Sequence, residues 1–126
     1  MGDGSTILLV EDEPDLRTTL TEILLGEGYR ASSVEDLSSA TEHINDHGVP
    51  DLALIDFRLP DGLGSELYTA LQRRGGRALI LSAQPRPTGN EVPPEHWISK
   101  GITVRQLMDR IREELTPTAA PTATAD

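Results

Sequence analysis

The sequence predicts a single α/β domain built on an open, doubly wound parallel sheet with helices on both faces. Three observations carry that expectation. Short continuous apolar runs recur at Ile7-Leu8-Leu9-Val10, Leu52-Ala53-Leu54-Ile55 and Ala78-Leu79-Ile80-Leu81, the composition of strands buried on both faces. Stretches with helical apolar spacing lie between them, and strands alternating with helices imply right-handed crossovers. The length of 126 residues is that of one domain and too short for two ordinary ones.

Taken in order, the first run is followed by Leu16, Leu20, Ile23 and Leu24 at helical spacing, with Pro14 in the first turn and Gly26 and Gly28 near the stop. Glu13 is expected to decorate that first turn, where negative charge suits the helix dipole. Tyr29 to Val34 is a weaker strand candidate. Leu37, Ala40 and Ile44 mark a second helix with Asp36 as N-cap, and Leu67, Ala70 and Leu71 a third that ends by Gly75-Gly76. A fifth strand is expected around Glu95 to Ile98. The last helix carries Val104, Leu107, Met108, Ile111 and Leu115, and Thr103 and Gln106 have capping-box spacing. One stretch breaks the rhythm. Gln84 to Pro94 holds four of the chain's nine prolines and no helical apolar stripe, so a regular helix is not expected there. From Thr116 to Asp126 no apolar side chain exceeds Ala, and a loose tail or linker is expected after a folded unit spanning residues 5–115.

Composition narrows the function. The chain carries 21 acidic residues against 11 Lys plus Arg, a formal charge of −10. That sign repels phosphate backbones and anionic membranes, which argues against direct nucleic-acid or membrane partners. With no cysteine there is neither a disulfide framework nor a thiolate nucleophile. No apolar run approaches the roughly 18 residues of a membrane helix, and no basic-then-apolar leader is present; a cytoplasmic location is expected. Only 3% of residues are aromatic, so the core must be made of Leu, Ile, Val and Ala.

In open α/β sheets chemistry gathers beyond the carboxyl ends of the strands. The first strand runs into Glu11-Asp12-Glu13, the third into Asp56 and the fourth into Ser82, while Lys100 follows the fifth. If the first and third strands are neighbours, Glu11, Asp12 and Asp56 converge. Crowded carboxylates are relieved by protonation or by a hard divalent cation, and oxygen-only ligation with few protein ligands favours Mg2+. Lys100 and the Ser82 hydroxyl could meet phosphoryl oxygens, and an aspartate that attacks phosphorus becomes an acyl phosphate. The pattern suggests phosphoryl transfer onto Asp56.

Four pieces in order, Ile7 to Pro14, Asp51 to Gly62, Leu81-Ser82-Ala83 and Ile98-Ser99-Lys100, resemble the receiver domain of bacterial two-component response regulators over nearly all of Ser5 to Leu115. The resemblance implies a flavodoxin-like, five-stranded parallel sheet in the order 2-1-3-4-5 flanked by five helices. It also implies Asp56 as phospho-acceptor, Glu11, Asp12 and Asp56 with the backbone carbonyl of Arg58 as the Mg2+ site, and Ser82 and Lys100 as contacts to the phosphoryl group. Such a domain takes its phosphoryl group from a sensor histidine kinase, a phosphotransfer protein or a small acyl phosphate and relays its state to a protein partner. It catalyses its own phosphorylation and dephosphorylation without being a turnover enzyme. Arg58 and Gln84 fall at rim positions that tune lifetime in the family.

The departures from that pattern matter as much. Ser82 and Lys100 are only 18 positions apart, so the fourth helix is expected to be shortened or missing. Gly101 replaces the proline that usually follows the lysine, and a different local turn is expected because a cis bond is costly without proline. Trp97 stands where a switching Tyr or Phe is common, and core packing is favoured over a switch. With the usual output surface altered, the stretch from Gln84 to Trp97 is expected to be the flexible segment that phosphorylation reorganises. A degenerate, phosphorylation-independent interaction module is the alternative. A phosphatase of the haloacid dehalogenase kind would need an aspartate where Arg58 stands. His43 and His47, four apart on a helix, have no evident third ligand and are expected to face solvent.

Overall fold

The computed structural model describes residues 4–116. Five parallel strands, β1 (Thr6–Val10), β2 (Arg30–Val34), β3 (Leu52–Asp56), β6 (Ala78–Ser82) and β7 (Trp97–Ser99), form one sheet in the order β2-β1-β3-β6-β7. Between β3 and the third helix, β4 (Arg58–Leu59) and β5 (Gly62–Leu63) pair antiparallel as a separate ribbon. The helices are α1 (Pro14–Gly26), α2 (Leu37–His47), α3 (Gly64–Arg73) and α4 (Val104–Leu115). Nearly the whole of the tail expected from Thr116 to Asp126 lies outside the described residues.

The three apolar runs become the central strands because every residue of each is needed on one face or the other. Leu8, Val10, Ala53, Ile55 and Ile80 pack toward α2 and α3, whereas Ile7, Leu9, Leu52, Leu54, Leu79 and Leu81 pack toward α1 and α4. This division is the period-two alternation of a strand covered on both sides. β2, at an edge, is polar and mostly exposed, which explains its weak signal. Helix starts follow local chemistry. Glu13 is the N-cap of α1, accepting from the Leu16 amide at 2.6 Å, with Pro14 at the first helical position. Asp36 caps α2 through the Ser39 amide, and Thr103 with Gln106 forms the capping box of α4.

No α-helix joins β6 to β7. A single 3-10 turn at Pro94–His96 precedes β7, and the strand begins at Trp97, two residues later than the sequence suggests, because Glu95 is used in that turn. There is no cis peptide bond among the described residues. Side-chain hydrogen bonds tie the stretch from residue 84 to residue 96. Arg86 donates from Nε to the Val92 carbonyl at 2.6 Å and from Nη2 to the Asn90 carbonyl at 2.7 Å, and the Asn90 side chain accepts from the Val92 amide. Val92 is fully buried in the α2–α3 layer. At the far end Tyr68 Oη lies 2.6 Å from His96 Nδ1, and His96 Nε2 is 3.4 Å from Glu114. The loop thereby takes over the covering role of a helix, leaving a hollow of about 340 Å³ lined by Tyr68, Thr69, Gln72, Glu91, Pro93 and His96. Arg86→Ala is expected to raise amide hydrogen exchange at Asn90 and Val92 by tenfold or more while leaving the central strands protected, as mass spectrometry or NMR would read.

Candidate functional site

The sheet order reverses direction between β1 and β3, and in open α/β sheets that switch point opens a crevice at the carboxyl ends of the strands. Glu11 and Asp12 leave β1 there and Asp56 ends β3. One carboxylate oxygen from each of the three lies within 4.8 Å of the others. Among the described residues it is the one such grouping of three or more Asp, Glu or His. Glu11 is buried to 1% exposure and Asp56 to 7%, whereas Asp12 faces solvent.

The acidic loop is held by its own helix. Glu11 Oε2 accepts from the Glu13 amide at 3.0 Å, and Arg17 Nη1 donates to the Glu11 carbonyl at 2.9 Å. Lys100, just past β7, reaches past the ends of β6 and β3 to the acidic loop after β1. Its Nζ stands 3.0 Å from Glu11 Oε1 and 3.2 Å from Asp56 Oδ1, and its amide donates to the Ser82 carbonyl at 2.9 Å. The contact with Glu11 is one of charge, since that oxygen is buried without an aligned hydrogen-bond donor. Burial opposes the Lys100 charge, but its contacts with Glu11 and Asp56 outweigh this and raise its pKa.

One lysine does not balance the cluster. Burial, then the neighbouring charge of Glu11, pushes the Asp56 carboxyl up to about 6, against a partial opposing pull from Lys100. A site with three convergent carboxylates, a buried oxygen lacking an aligned donor and an acid raised this far suits a hard divalent cation.

The other expected residues fall at the rim. Ser82, buried at the end of β6, has its Oγ accepting from the Gln84 amide at 3.0 Å. The Arg58 side chain donates from Nε to Gln84 Oε1 at 3.0 Å, with its guanidinium 5.6 Å from the Phe57 ring centre. The carbonyl of Gln84 accepts from Trp97 Nε1 at 3.2 Å, and the Trp97 ring packs against Phe57 with centroids 4.7 Å apart. Trp97 thus packs at the edge of the core, the role favoured for it above, and Gln84 joins Ser82, Arg58 and Trp97 in one chain of contacts. The sequence offers no signal for that chain, because its links span 2 to 26 positions along the loop and the β3 end. His43 and His47 lie remote in role from this cluster: their rings stack at 4.4 Å, and His47 Nδ1 lies 3.1 Å from the His43 carbonyl.

Sheet order, crevice and carboxylate centre together define a flavodoxin-like α/β domain with an acidic pocket at its switch point. The chain belongs to the response regulator receiver domain family, whose model matches residues 7–112. It is a receiver domain of the two-component type, homologous to those of PhoB and RegX3. It is 32% identical over 114 residues to the phosphate regulon transcriptional regulatory protein PhoB of Escherichia coli strain K12, covering 84% of this chain and 49% of PhoB. It is 29% identical over 116 residues to the sensory transduction protein RegX3 of Mycobacterium tuberculosis strain H37Rv, covering 88% of this chain and 51% of RegX3. The chain therefore spans about half the length of these curated relatives. Among solved structures, the BeF3-activated N-terminal receiver domain of Klebsiella pneumoniae RstA matches with TM-score 0.77 at 25% identity, over 88% of this chain and 98% of that one. A CheY-like receiver domain from Methanospirillum hungatei matches with TM-score 0.76 at 26% identity, over 90% and 94%. No helix among the described residues is long and apolar enough to cross a membrane.

Proposed function

We propose that Asp56 accepts a phosphoryl group from a sensor histidine kinase or phosphotransfer protein in a Mg2+-dependent reaction, and that the phosphorylated state is relayed to a downstream protein. The observation that carries this reading is the convergence of Glu11, Asp12 and Asp56 with the Lys100 ammonium 3.2 Å from Asp56 Oδ1. Glu11, Asp12, Asp56 and the carbonyl of Arg58 would hold Mg2+, which would neutralise charge on the transferring group. An Asp56 oxygen would form the bond to phosphorus as the bond from phosphorus to the donor nitrogen or acyl oxygen breaks, its electron pair leaving with the donor. Lys100, 3.2 Å from Asp56 Oδ1, would follow the new negative charge. The Ser82 hydroxyl can donate to a phosphoryl oxygen while its lone pair still accepts from Gln84. In this reading the working unit is residues 5–115.

Ser82 is also where the change would leave the site. Any shift of its Oγ is felt at once by Gln84, which is bonded to both Arg58 and Trp97. Incubation with Mg2+ and acetyl phosphate is expected to give a slower-migrating species on a phosphate-affinity gel, absent when Mg2+ is chelated and absent from Asp56→Ala. The replacement of a regular helix by the tied loop favours the second reading, a phosphorylation-independent interaction module. Failure of every donor, a histidine kinase included, to modify the wild-type protein would establish that second reading instead.

A further inference from the structure

The ribbon that carries Arg58 ends in a two-residue tip, Pro60-Asp61, and that tip is fastened to a helix far away in sequence. Asp61 Oδ1 accepts from the Leu37 amide and Oδ2 from the Ser38 amide, each at 2.9 Å. These are orphan donors of the first turn of α2, a turn that already has its local N-cap in Asp36. The two amides hold the Asp61 carboxyl below the usual carboxylate range. Apolar contact reinforces the joint. Gly62 adopts φ +151°, and a Cβ there would stand 2.8 Å from Leu37 Cδ1, so the ribbon lies directly on the first residue of the helix.

The joint completes a circuit around the crevice. On the β1 side the Glu11 amide donates to the Val34 carbonyl at 3.0 Å, tying the acidic loop to the end of β2, three positions before Leu37. On the β3 side the Gly64 amide donates to the Phe57 carbonyl at 2.6 Å, closing the ribbon onto the residue after Asp56. The start of α2 therefore links the two loops that frame the acidic pocket, and Asp61 is the polar bond on the ribbon side of that link.

We propose that Asp61 is a positioning residue for the acidic pocket: by bonding the ribbon to the first turn of α2 it fixes the Arg58 backbone relative to Glu11 and Asp12, and so sets the affinity of the pocket for a divalent cation. This inference rests on the Mg2+ reading of the site. It assigns Asp61 no contact with the ion or with phosphate. Groups bonded directly to metal ligands commonly change affinity by 10- to 100-fold when removed, and a residue acting through the ribbon backbone belongs at the low end of that range.

The test compares variants of the two aspartates that bond the first-turn amides of α2, by isothermal titration with MgCl2 alongside thermal unfolding and hydrogen exchange. Asp61→Ala is expected to weaken Mg2+ binding about tenfold and to speed exchange at the ribbon amides of Leu59 and Leu63. Asp36→Ala removes the local cap of α2, lowers stability to a similar degree, and is expected to leave Mg2+ affinity within twofold of wild type. Asp61→Asn, which keeps one acceptor oxygen, should fall between wild type and Asp61→Ala. Equal Mg2+ affinity in Asp61→Ala and wild type overturns the positioning role alone, as does equal weakening in both alanine variants. A wild-type protein that binds no Mg2+ overturns the reading of the pocket and this role with it.

Discussion

Gly64→Ala is expected to destabilise the domain by about 3 kcal/mol and to lower its melting temperature by about 10 °C. The reason is the closeness of two backbones. Gly64 opens α3 and sits directly on β3, so a Cβ there would fall inside the contact distance of the Asp56 carbonyl oxygen and 2.7 Å from Ile55 Cγ2. A side-chain tip can swing away from such a clash, but a strand carbonyl in the middle of a sheet cannot. The displaced atoms belong to the residue proposed to accept the phosphoryl group. A surviving fraction of folded variant should therefore also lose acetyl phosphate reactivity, well beyond the loss in an alanine variant of equal instability remote from the site, such as Leu24→Ala in the α1 layer. Differential scanning calorimetry and the phosphate-affinity gel check the two halves. An unchanged melting temperature would show that β3 and α3 are not in the contact described.

The second large effect is electrostatic and depends on pH. The Asp56 carboxyl titrates near 6 in the folded protein, against an ordinary value of 3.8. Its folded-state pKa is raised, so between those values the folded state binds more protons than the unfolded chain. Stability must then fall as pH rises through that window and level off above it. The difference corresponds to an effect of about 3 kcal/mol at most. In Mg2+-free buffer the wild-type protein is therefore expected to melt lower at pH 7.5 than near pH 5. Asp56→Asn, which removes the titrating group, should be the more stable of the two at pH 7.5, and the two should converge toward pH 4. Added MgCl2 should raise the wild-type melting temperature at pH 7.5 and leave that of Asp56→Asn nearly unchanged. A pH-independent difference between wild type and Asp56→Asn would show that packing, not charge, governs the site.

Much of the fold is written in short-range signals. The continuous runs at Ile7–Val10 and Leu52–Ile55, the Pro14 start, the Asp36 cap and the Thr103–Gln106 box all act within a few positions, and each appears where its chemistry requires. The prolines from Pro85 to Pro94 speak against an α-helix before β7, and only a 3-10 turn forms there. They could not show that Arg86 and Val92 would nevertheless organise the loop, since that order arises from a side chain bonding carbonyls several residues away. The ribbon of β4 and β5 was also illegible, because two residues per strand are too few to carry a period. At the site, acidic residues at strand ends announce themselves once the sheet order is known. Asp61 does not. Its partners lie 23 and 24 positions upstream, and nothing local distinguishes it from a turn aspartate.

The two borders of the sheet have a consequence for how copies of this domain behave when concentrated. One border, β2, reads Arg-Ala-Ser-Ser-Val, and the other, β7, is only three residues long with Ser99 exposed and prolines close before it. Neither offers the long, flat, greasy template on which chains stack strand to strand into aggregates. Association between molecules must then run through helices or loops, where side chains can choose their partner, and the backbone ladder stays closed to accidental growth.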